Sequence, residues 1–526
     1  MKKLLLVMFI LLLLAGCGTS KDVELNEIND NYRTMYEIFP ISFADSDGDG
    51  NGDLQGIIDK LGYIDDLNFT GLWLTPICTS PTYHKYDVID YKSIDPVLGT
   101  INDFDNLVKE CHERGITIIL DLVLNHTSNE NPWFKEACIS HARGRIDDKY
   151  YNYYNFDSIE SGEAIPSGWD WNPYDKNSIY ECRFWSGMPD LNLQAILDDE
   201  ECNLAKDIED IIKFWLIDHD VDGFRLDAVT SYFTGSQTDN KKFLTWLNKT
   251  IKKYKEDAYV VGEASWDSNS NENADYQESG IDSFFEFANA NASGYIGSAV
   301  KQQNASKVYS ALKNNEAIAN GGIEAVFVSN HDTGRMVGAV AGRTSLNNAK
   351  FGFGILQLLK GTTTVYYGDE IGMAVSSNAT NNDPNKRLPI DWGDEYNCKN
   401  PEGTIAFKYE DCYPYGSVKE QQKDSNSLNN YVKKANLLRK EFKSLARGDY
   451  EKIELNMSRN VGLIKRSYED ETIWVAINAS INDSATIDLS VINTSVSIAD
   501  ELCVSGNAKL KSNKLTIPAQ GIVILK

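Results

Sequence analysis

Short apolar runs alternate with amphipathic segments from about residue 33 onward. Residues 118–120 (Ile-Ile-Leu) and 326–328 (Val-Phe-Val) are apolar throughout, which is typical of parallel strands covered by helices on both faces. Between the runs, apolar residues recur at helical spacing, most clearly from Leu204 to Trp215. Strands are predicted at residues 35–39, 71–76, 117–124, 222–228, 259–263, 281–287, 325–330 and 362–367. Eight successive β-then-α units predict an α/β fold, a closed (β/α)8 TIM barrel.

Two segments break this rhythm. Residues 127–203 are rich in Tyr, Trp, Asn, Asp and Gly and too long for a loop, so we expect a subdomain inserted after strand three. From Gly448 onward the pattern changes to short strands, which predicts a C-terminal antiparallel β-sandwich domain at residues 447–526. The barrel would then comprise residues 32–126 and 204–446.

The first residues have the pattern of a targeting segment. A basic start at residues 1–3 precedes an apolar core at residues 4–14, which is too short to span a bilayer. Residues 14–17 (Leu-Ala-Gly-Cys) resemble a bacterial lipobox, which implies cleavage before Cys17 and lipidation of its sulfur. We therefore expect an exported protein anchored to the cell membrane, with residues 18–31 as a polar tether. The alternative is an ordinary secretory signal with a chance cysteine.

Charge and cysteine usage narrow the possible partners. The formal charge is −26, from 77 acidic and 51 basic residues, which argues against nucleic acid or an anionic membrane surface as partner. A neutral ligand or a cation fits better, and we expect a monomer. Of the nine cysteines, those other than Cys17 are widely and irregularly spaced, so disulfide pairing stays open.

An acidic loop follows the first predicted strand. Residues 45–53 (Asp-Ser-Asp-Gly-Asp-Gly-Asn-Gly-Asp) place carboxylates at alternate positions, with glycines that permit a tight turn. Ca²⁺ prefers six to eight such hard oxygen ligands. The loop is not a complete EF-hand, because Gly56 stands where the twelfth-position Glu would be. We predict a structural calcium site, the alternative being a solvated acidic turn. Its ligands would be Asp45, Asp47, Asp49, Asn51 and Asp53.

Residues 222–229 (Asp-Gly-Phe-Arg-Leu-Asp-Ala-Val) combine charges with an otherwise apolar strand. Alternation along a strand puts Arg225 and Asp227 on one face and Phe224 and Leu226 on the other. Buried charges are costly unless they serve each other or a ligand, and the arginine would hold the carboxylate ionised. The stretch thus carries either a structural ion pair or a positioned nucleophile.

Carboxyl groups end two further strands. Glu263 follows Val261 and Gly262, so burial should raise its pKa and suit it to donate a proton. Asp332 closes the seventh predicted strand. Neighbouring strands lie about 4.8 Å apart, which lets Asp227 and Glu263 face each other at the separation of about 5 Å that retaining glycosidases use.

These residues resemble the signature regions of the α-amylase family of glycoside hydrolases. The four regions are residues 121–126 (Asp-Leu-Val-Leu-Asn-His), 223–227 (Gly-Phe-Arg-Leu-Asp), Glu263 and 330–332 (Asn-His-Asp). Residues 188–192 (Met-Pro-Asp-Leu-Asn) are similar to the family's fifth region. The resemblance covers nearly everything from Tyr32 to Lys526, and it implies a retaining enzyme.

The resemblance also implies roles for individual residues. Asp227 would be the nucleophile, Glu263 the general acid, and Asp332 the group that grips the 2- and 3-hydroxyls of the distorted sugar. Tyr86 would stack under that sugar, although Lys85 stands where many relatives have Gly. The implied substrate-binding residues are Tyr86, Asp87, His126, Arg225 and His331. The acidic loop matches a calcium loop of the family, with Asn51 acting through its carbonyl.

Substrate choice follows from finer features of the resemblance. Ala228 follows the nucleophile, where α-1,6-specific relatives tend to carry Val, which favours α-1,4 bonds. The form of residues 188–192 resembles a group intermediate between oligo-1,6-glucosidases and neopullulanases that includes lipoprotein α-amylases. We therefore expect hydrolysis of internal α-1,4 bonds of starch and maltooligosaccharides, with some transglycosylation. The alternatives are an α-glucosidase or oligo-1,6-glucosidase acting on short oligosaccharides, and a non-catalytic glucan-binding lipoprotein.

Overall fold

The computed structural model describes residues 30–160, 162–264, 272–340, 345–393 and 395–526. Cys17 and the predicted signal segment lie outside these residues. In chain order, the strands before the C-terminal domain are β1 (Thr34–Ile38), β2 (Gly71–Leu74), β3 (Thr117–Leu122), β4 (Phe156–Ser158), β5 (Trp169–Asn172), β6 (Asp175–Glu181), β7 (Gly223–Leu226), β8 (Tyr259–Gly262), β9 (Ser283–Glu286), β10 (Ala325–Phe327) and β11 (Thr362–Tyr366).

Eight of these strands close a parallel barrel in the order β1, β2, β3, β7, β8, β9, β10, β11. The predicted α/β barrel is confirmed, although several strands end earlier than predicted. Residues 123–124 and 328–330 leave the strand ladder. The Val123 carbonyl accepts from the Tyr91 hydroxyl at 2.8 Å, and the Val328 carbonyl accepts from the Asn291 N–H at 3.4 Å. In β7 and its neighbours, Leu226 pairs with Leu122 of β3 and with Gly262 of β8. Asp227 and Glu263 therefore leave adjacent strands at the same level.

Helices cover the outside of the barrel. The segment predicted from Leu204 to Trp215 is helical at Asn203–Lys213 and continues as a wider π-helical turn at Phe214–Asp218. Its apolar face is buried, as the periodicity predicted. The other helices are Leu54–Asp66, Ile101–His112, Pro132–Ala142, Gln194–Asp198, Gln237–Tyr254, Glu272–Tyr276, Tyr295–Lys301, Ser306–Ala319, Met336–Val340, Leu346–Leu358, Asp383–Lys386, Tyr409–Cys412, Val418–Lys423, Leu428–Glu441 and Lys443–Arg447.

Large side chains fill the inside of the barrel. Trp73 of β2 stacks on Phe285 of β9 with ring centres 5.1 Å apart. Met35, Ile119, Tyr259, Val261 and Phe327 pack into the same buried cluster. The barrel is thus a packed core and not a channel, so a ligand has access only at the rim formed by the strand C-termini.

A small antiparallel sheet lies between β3 and β7 in the chain, in the order β4, β6, β5. Tyr153, Tyr154 and Tyr180 are buried in this subdomain, and Tyr180 packs edge-to-face on Phe134 with ring centres 4.7 Å apart. These three tyrosines therefore serve its core, whereas Trp171, Tyr174, Phe184 and Trp185 are exposed. A backbone bridge between His126 and Asp190 ties the subdomain to the barrel rim.

The C-terminal domain is a sandwich of two antiparallel sheets. Its strands are β12 (Asp449–Lys452), β13 (Val461–Tyr468), β14 (Glu471–Asn478), β15 (Ala485–Asp488), β16 (Ile498–Cys503), β17 (Lys509–Lys511), β18 (Lys514–Ile517) and β19 (Gly521–Leu525). One sheet runs β12-β13-β14-β19-β16 and the other β15-β18-β17. Val523 and Leu525 of β19 fill the sandwich, whereas Ile522 and Ile524 pack toward the barrel helices. The predicted fold class is confirmed, and the exact domain limits stay predictions.

A buried arginine joins this domain to the barrel. Arg466 of β13 is 1% exposed and donates hydrogen bonds to the carbonyls of Leu358 and Leu445, each at 2.7 Å. Burial lowers its pKa to about 10. The guanidinium thus satisfies carbonyls at two helix ends that would otherwise be buried without donors.

The structure bears on two questions from the sequence, the pairing of the cysteines and the presence of membrane-spanning helices. Cys78, Cys111, Cys138, Cys182, Cys202, Cys398 and Cys503 carry free thiols. Within the described ranges, none of the helices has the length and apolarity needed to cross a bilayer.

Candidate active site

One buried guanidinium binds three carboxylates at the barrel rim. Arg225, fully buried on β7, donates from Nη1 to Asp121 Oδ1 and to Asp227 Oδ1, both at 2.6 Å. Its Nη2 donates to Glu263 Oε2 at 2.5 Å. Burial lowers the pKa of the guanidinium, but the surrounding carboxylates, led by Asp121 and Glu263, raise it well above its usual value. The arginine therefore stays charged and fixes all three acids.

Glu263 has the environment of a proton donor. It is 5% exposed, and burial raises its pKa to about 7, against the opposing effect of Arg225. Its Oε1 has no hydrogen-bond partner among the described residues. Since Oε2 is held by Arg225, the oxygen left for a ligand is Oε1.

The backbone after β7 is bent sharply to complete this arrangement. Ala228 has φ of +46°, in the left-handed region that non-glycine residues rarely adopt and β-branched residues avoid. This bend aims the Ala228 N–H at Glu263 Oε2, 3.3 Å away. Strain of this kind persists where the surrounding structure enforces it, typically at functional sites.

Asp121 accepts hydrogen bonds from three different side chains. In addition to Arg225, its Oδ2 accepts hydrogen bonds from the Tyr86 hydroxyl at 3.0 Å and from Trp73 Nε1 at 3.3 Å. Burial raises its pKa to about 6, while Arg225 opposes that rise. The sequence analysis quoted Asp121 as part of a motif without giving it a role.

The third predicted acid lies between two cations. Arg387 Nη2 donates to Asp332 Oδ1 at 2.6 Å, and His331 Nε2 lies 2.9 Å from Asp332 Oδ2. Burial alone would raise the pKa of Asp332, but the neighbouring His331, followed by Arg387, holds it well below its usual range. Asp332 is therefore ionised throughout the neutral and mildly acidic range.

His331 is charged for a corresponding reason. Burial would lower its pKa, but Asp332 and Glu37 together raise it to about 10. The imidazolium donates from Nδ1 to Glu37 Oε1 at 2.6 Å, and Nε2 lies 2.7 Å from the Tyr86 hydroxyl. The Tyr86 ring stacks on the imidazole with ring centres 5.4 Å apart.

Two of these residues escaped the sequence analysis. Glu37 is a fully buried carboxyl on β1, and a charge inside an otherwise apolar strand is the same signal that identified Arg225. Arg387 lies in an irregular segment far along the chain, where no local pattern marks it. Its contacts with Tyr83, Asp332 and the His331 carbonyl exist only in the folded chain.

His126 completes the rim on the subdomain side. It is 2% exposed, its Nδ1 lies 3.3 Å from Asn125 Nδ2, and its Nε2 has no partner in the described part of the chain. Burial lowers its pKa, although Asp227 is close enough to oppose that effect. His126 is thus a neutral residue with one nitrogen left for a ligand.

The loop that carries Tyr86 is held in place by hydrogen bonds to Asp87. Asp87 is fully buried and accepts hydrogen bonds at Oδ1 from Ser80 at 2.7 Å and from Thr82. Lys85 has φ of +66°, in the left-handed region that Gly adopts most readily, and its Nζ pairs with Asp95 at 2.8 Å. As folded, Asp87 supports the loop, and its predicted contact with substrate stays a prediction.

The acidic loop brings together three of its five predicted ligands. Carboxylate oxygens of Asp45, Asp47 and Asp49 lie within 4.8 Å of one another. Asp53 instead caps the helix Leu54–Asp66, accepting from the Gly56 N–H at 2.7 Å. Asn51 donates its side-chain amide to Asp49 at 3.0 Å. Three converging carboxylates suit a hard cation such as Ca²⁺. Asp53 and Asn51 already form hydrogen bonds within the protein, so they would join this site only as further ligands.

Known proteins match this chain over most of its length. A family model described as "Alpha amylase, catalytic domain" matches residues 37–448. The chain is 35% identical over 503 residues to Alpha-amylase 3 of Dictyoglomus thermophilum, covering 94% of this chain and 92% of that protein. It is 28% identical over 524 residues to an oligo-1,6-glucosidase of Heyndrickxia coagulans, covering 85% of this chain and 91% of that protein. The solved structure of Eubacterium rectale Amy13B superimposes with a TM-score of 0.86 at 37% identity, over 96% of this chain and 97% of that one.

A parallel barrel with a cluster of carboxylates at its C-terminal rim is an architecture that glycoside hydrolases use. The match across residues 37–448 makes the assignment specific: this chain belongs to the α-amylase family, glycoside hydrolase family 13.

Proposed function

We propose that this protein is an α-amylase that hydrolyses internal α-1,4-glucosidic bonds of starch and maltooligosaccharides with retention of configuration. The observation that carries the proposal is the pair Asp227 and Glu263, which leave adjacent strands at one level and are bound by one guanidinium. Adjacent strands lie about 4.8 Å apart, which suits the spacing of about 5 Å between the carboxyl groups of a retaining enzyme.

The chemistry proceeds in two displacements. In the first, an oxygen of the Asp227 carboxylate attacks the anomeric carbon, the glycosidic C–O bond breaks, and the Glu263 proton moves to the leaving oxygen. In the second, the Glu263 carboxylate takes a proton from water, and the water oxygen displaces Asp227 from the anomeric carbon. A sugar hydroxyl of a second chain in place of water gives transglycosylation.

The remaining groups bind the sugar whose bond breaks. Asp332, held ionised by His331 and Arg387, would accept hydrogen bonds from two ring hydroxyls and favour the positive charge of the transition state. Since His126 Nδ1 faces the Asn125 side-chain NH2, Nε2 carries the ring proton, and with no partner among the described residues it can donate to another hydroxyl. Tyr86 offers its ring as a stacking surface. Each group is held by protein contacts before substrate arrives, which reduces reorganisation during the reaction.

Two observations bear on the substrate. Ala228 directly follows the nucleophile, where α-1,6-specific relatives tend to carry Val, which favours α-1,4 bonds. The likeness to an oligo-1,6-glucosidase keeps a second candidate open, an exo-acting glucosidase for short oligosaccharides.

The mode of cleavage separates these two candidates. We expect the viscosity and iodine staining of soluble starch to fall early, while few reducing ends have formed, because internal cuts shorten chains fastest. The two signals are measured on the same samples, with Asp227→Asn as the inactive control. Release of glucose from maltose with little loss of iodine staining would instead identify an α-glucosidase.

The pKa of Glu263 predicts the alkaline side of the pH profile. Because the acid must be protonated and this pKa is that of the ligand-free protein, kcat/KM should fall as the pH rises through about 7. Glu263→Gln should lower kcat on maltooligosaccharides by about 10²–10⁴-fold. It should retain more activity on an aryl glucoside whose leaving group needs no proton, and should show no alkaline limb there.

The control for this experiment is Asp190→Asn. Burial also raises the pKa of Asp190 to about 7, but Asp190 bonds Asn125 and Arg183 rather than the catalytic cluster. The alkaline limb should survive this substitution. An alkaline limb that disappears in Asp190→Asn and persists in Glu263→Gln would remove Glu263 from the role of general acid.

We also propose that the acidic loop binds a structural Ca²⁺ through Asp45, Asp47 and Asp49. Calcium at about 100 times its Kd would stabilise the fold by about 2.7 kcal/mol, so chelation should lower Tm by a few degrees. Asp49→Asn should reduce that shift, and Asp65→Asn, an exposed acid on the next helix, should not. A wild-type Tm that changes with neither chelator nor added calcium would contradict the proposed calcium site.

The anchor at Cys17 is proposed on the pattern of residues 1–17 alone. The full-length protein expressed in a bacterium should partition into the detergent phase of a Triton X-114 extraction, and Cys17→Ser should move it to the aqueous phase or leave it with an uncleaved signal. Wild-type protein found only in the aqueous phase would favour an ordinary secretory signal.

A further inference from the structure

Two large aromatic side chains stand in solvent beside the catalytic rim. Phe184 is 53% exposed and Trp185 is 55% exposed, whereas Tyr153 and Tyr154 of the same subdomain are 1% and 2% exposed. Exposed apolar surface next to a cleft is a feature of ligand-binding grooves. Neither residue has a part in the catalytic arrangement described above.

The segment that carries them, residues 183–190, is fixed to its surroundings. The Thr127 N–H donates to the Pro189 carbonyl at 3.1 Å, and the Asn129 N–H donates to the Gly187 carbonyl at 2.9 Å. The Tyr180 hydroxyl donates to the Ser186 carbonyl at 2.7 Å. Before the two rings, the Cys182 N–H donates to the Gly168 carbonyl at 2.7 Å. Because backbone groups on both sides are bonded, the two rings are presented from a defined position.

Phe184 connects this segment to the site. Its ring centre lies 5.3 Å from that of His126, the residue whose Nε2 is left for a sugar hydroxyl. Trp185 follows directly in the chain. The pair therefore extends the rim outward from the pocket that holds the reacting sugar.

The indole of Trp185 packs against Gly187. A Cβ added to Gly187 would lie 2.1 Å from Cζ3 and 2.4 Å from Cη2 of the indole, so the ring lies directly over the Gly187 Cα. The glycine is needed here for space, since any side chain would displace the indole. The ring is thus supported on one side while more than half of the side chain remains in solvent.

We propose that Trp185, together with Phe184, is a binding platform for glucosyl units of the α-glucan that extend beyond the catalytic pocket. The proposal rests on the function proposed above and adds a polymer-binding position to it. A glucose ring presents an apolar face of C–H groups, which suits a flat indole with a fixed orientation. The net charge of −26 disfavours an anionic occupant, and continuity with the cleft favours the substrate over a protein partner.

The test compares three variants with the wild type in the full-length chain. Trp185→Ala removes the platform, and Gly187→Ala keeps the indole but displaces it. Tyr174→Ala is the matched control, because Tyr174 is also 55% exposed and lies on the turn between β5 and β6 of the same subdomain. Retardation in gels containing soluble starch reports binding, and KM is measured for starch and for maltotriose. Melting curves verify that each variant is folded.

We expect Trp185→Ala to weaken retardation by starch about tenfold, equivalent to about 1.4 kcal/mol, and to raise the ratio of KM for starch to KM for maltotriose by a similar factor. Gly187→Ala should act in the same direction, and Tyr174→Ala should match the wild type. Trp185→Ala behaving like Tyr174→Ala would overturn the platform, as would an equal loss of kcat on both substrates. A wild type that neither binds nor cleaves starch would instead contradict the proposed function itself.

Discussion

The site depends on a single cation held in the core of the barrel rim. Arg225 is fully buried and binds Asp121, Asp227 and Glu263 at 2.5–2.6 Å. Three carboxyl groups this close would repel one another and take up protons without a cation among them. A lysine could not replace it, because only a planar guanidinium offers several donors in fixed directions. The cost of burying such a charge is met by the ion pairs themselves, so arginine and acids form one unit.

Around this unit, unequal surroundings give the acids different protonation states. Glu263 is buried, one of its oxygens has no partner among the described residues, and burial raises its pKa to about 7. Asp332 has His331 and Arg387 against its oxygens, so its pKa falls well below the usual range. The charge on His331 depends in turn on Glu37 from β1. Glu37 on β1 and the residues that follow β10, which is separated from β1 only by β11, thus set the state of one carboxyl group together, which couples the fold to the chemistry.

The same rim joins three parts of the chain. The barrel supplies the acids, the inserted subdomain supplies the segment with Phe184 and Trp185, and residues beyond β11 supply Arg387. The His126–Asp190 bridge fixes the subdomain against β3. Farther away, Arg466 fastens the sandwich domain to the ends of two barrel helices. These contacts hold the parts of the rim together, which suits a site whose charged groups are arranged before substrate binds.

The sequence alone determined the strand pattern, the barrel, and most catalytic candidates, because a strand of period two with charges on one face is legible from local order. It located Arg225 and Asp227 for that reason, and Glu263 because a carboxyl directly follows an apolar strand. It did not find Arg387, and it gave Asp121 no role, since their importance lies in partners more than 50 residues away. Only the tertiary structure decided that Asp53 caps a helix while Asp45, Asp47 and Asp49 converge, and that Trp185 rests on Gly187. Hydrogen-bond partners and free volume are properties of the packed chain, and no local pattern encodes them.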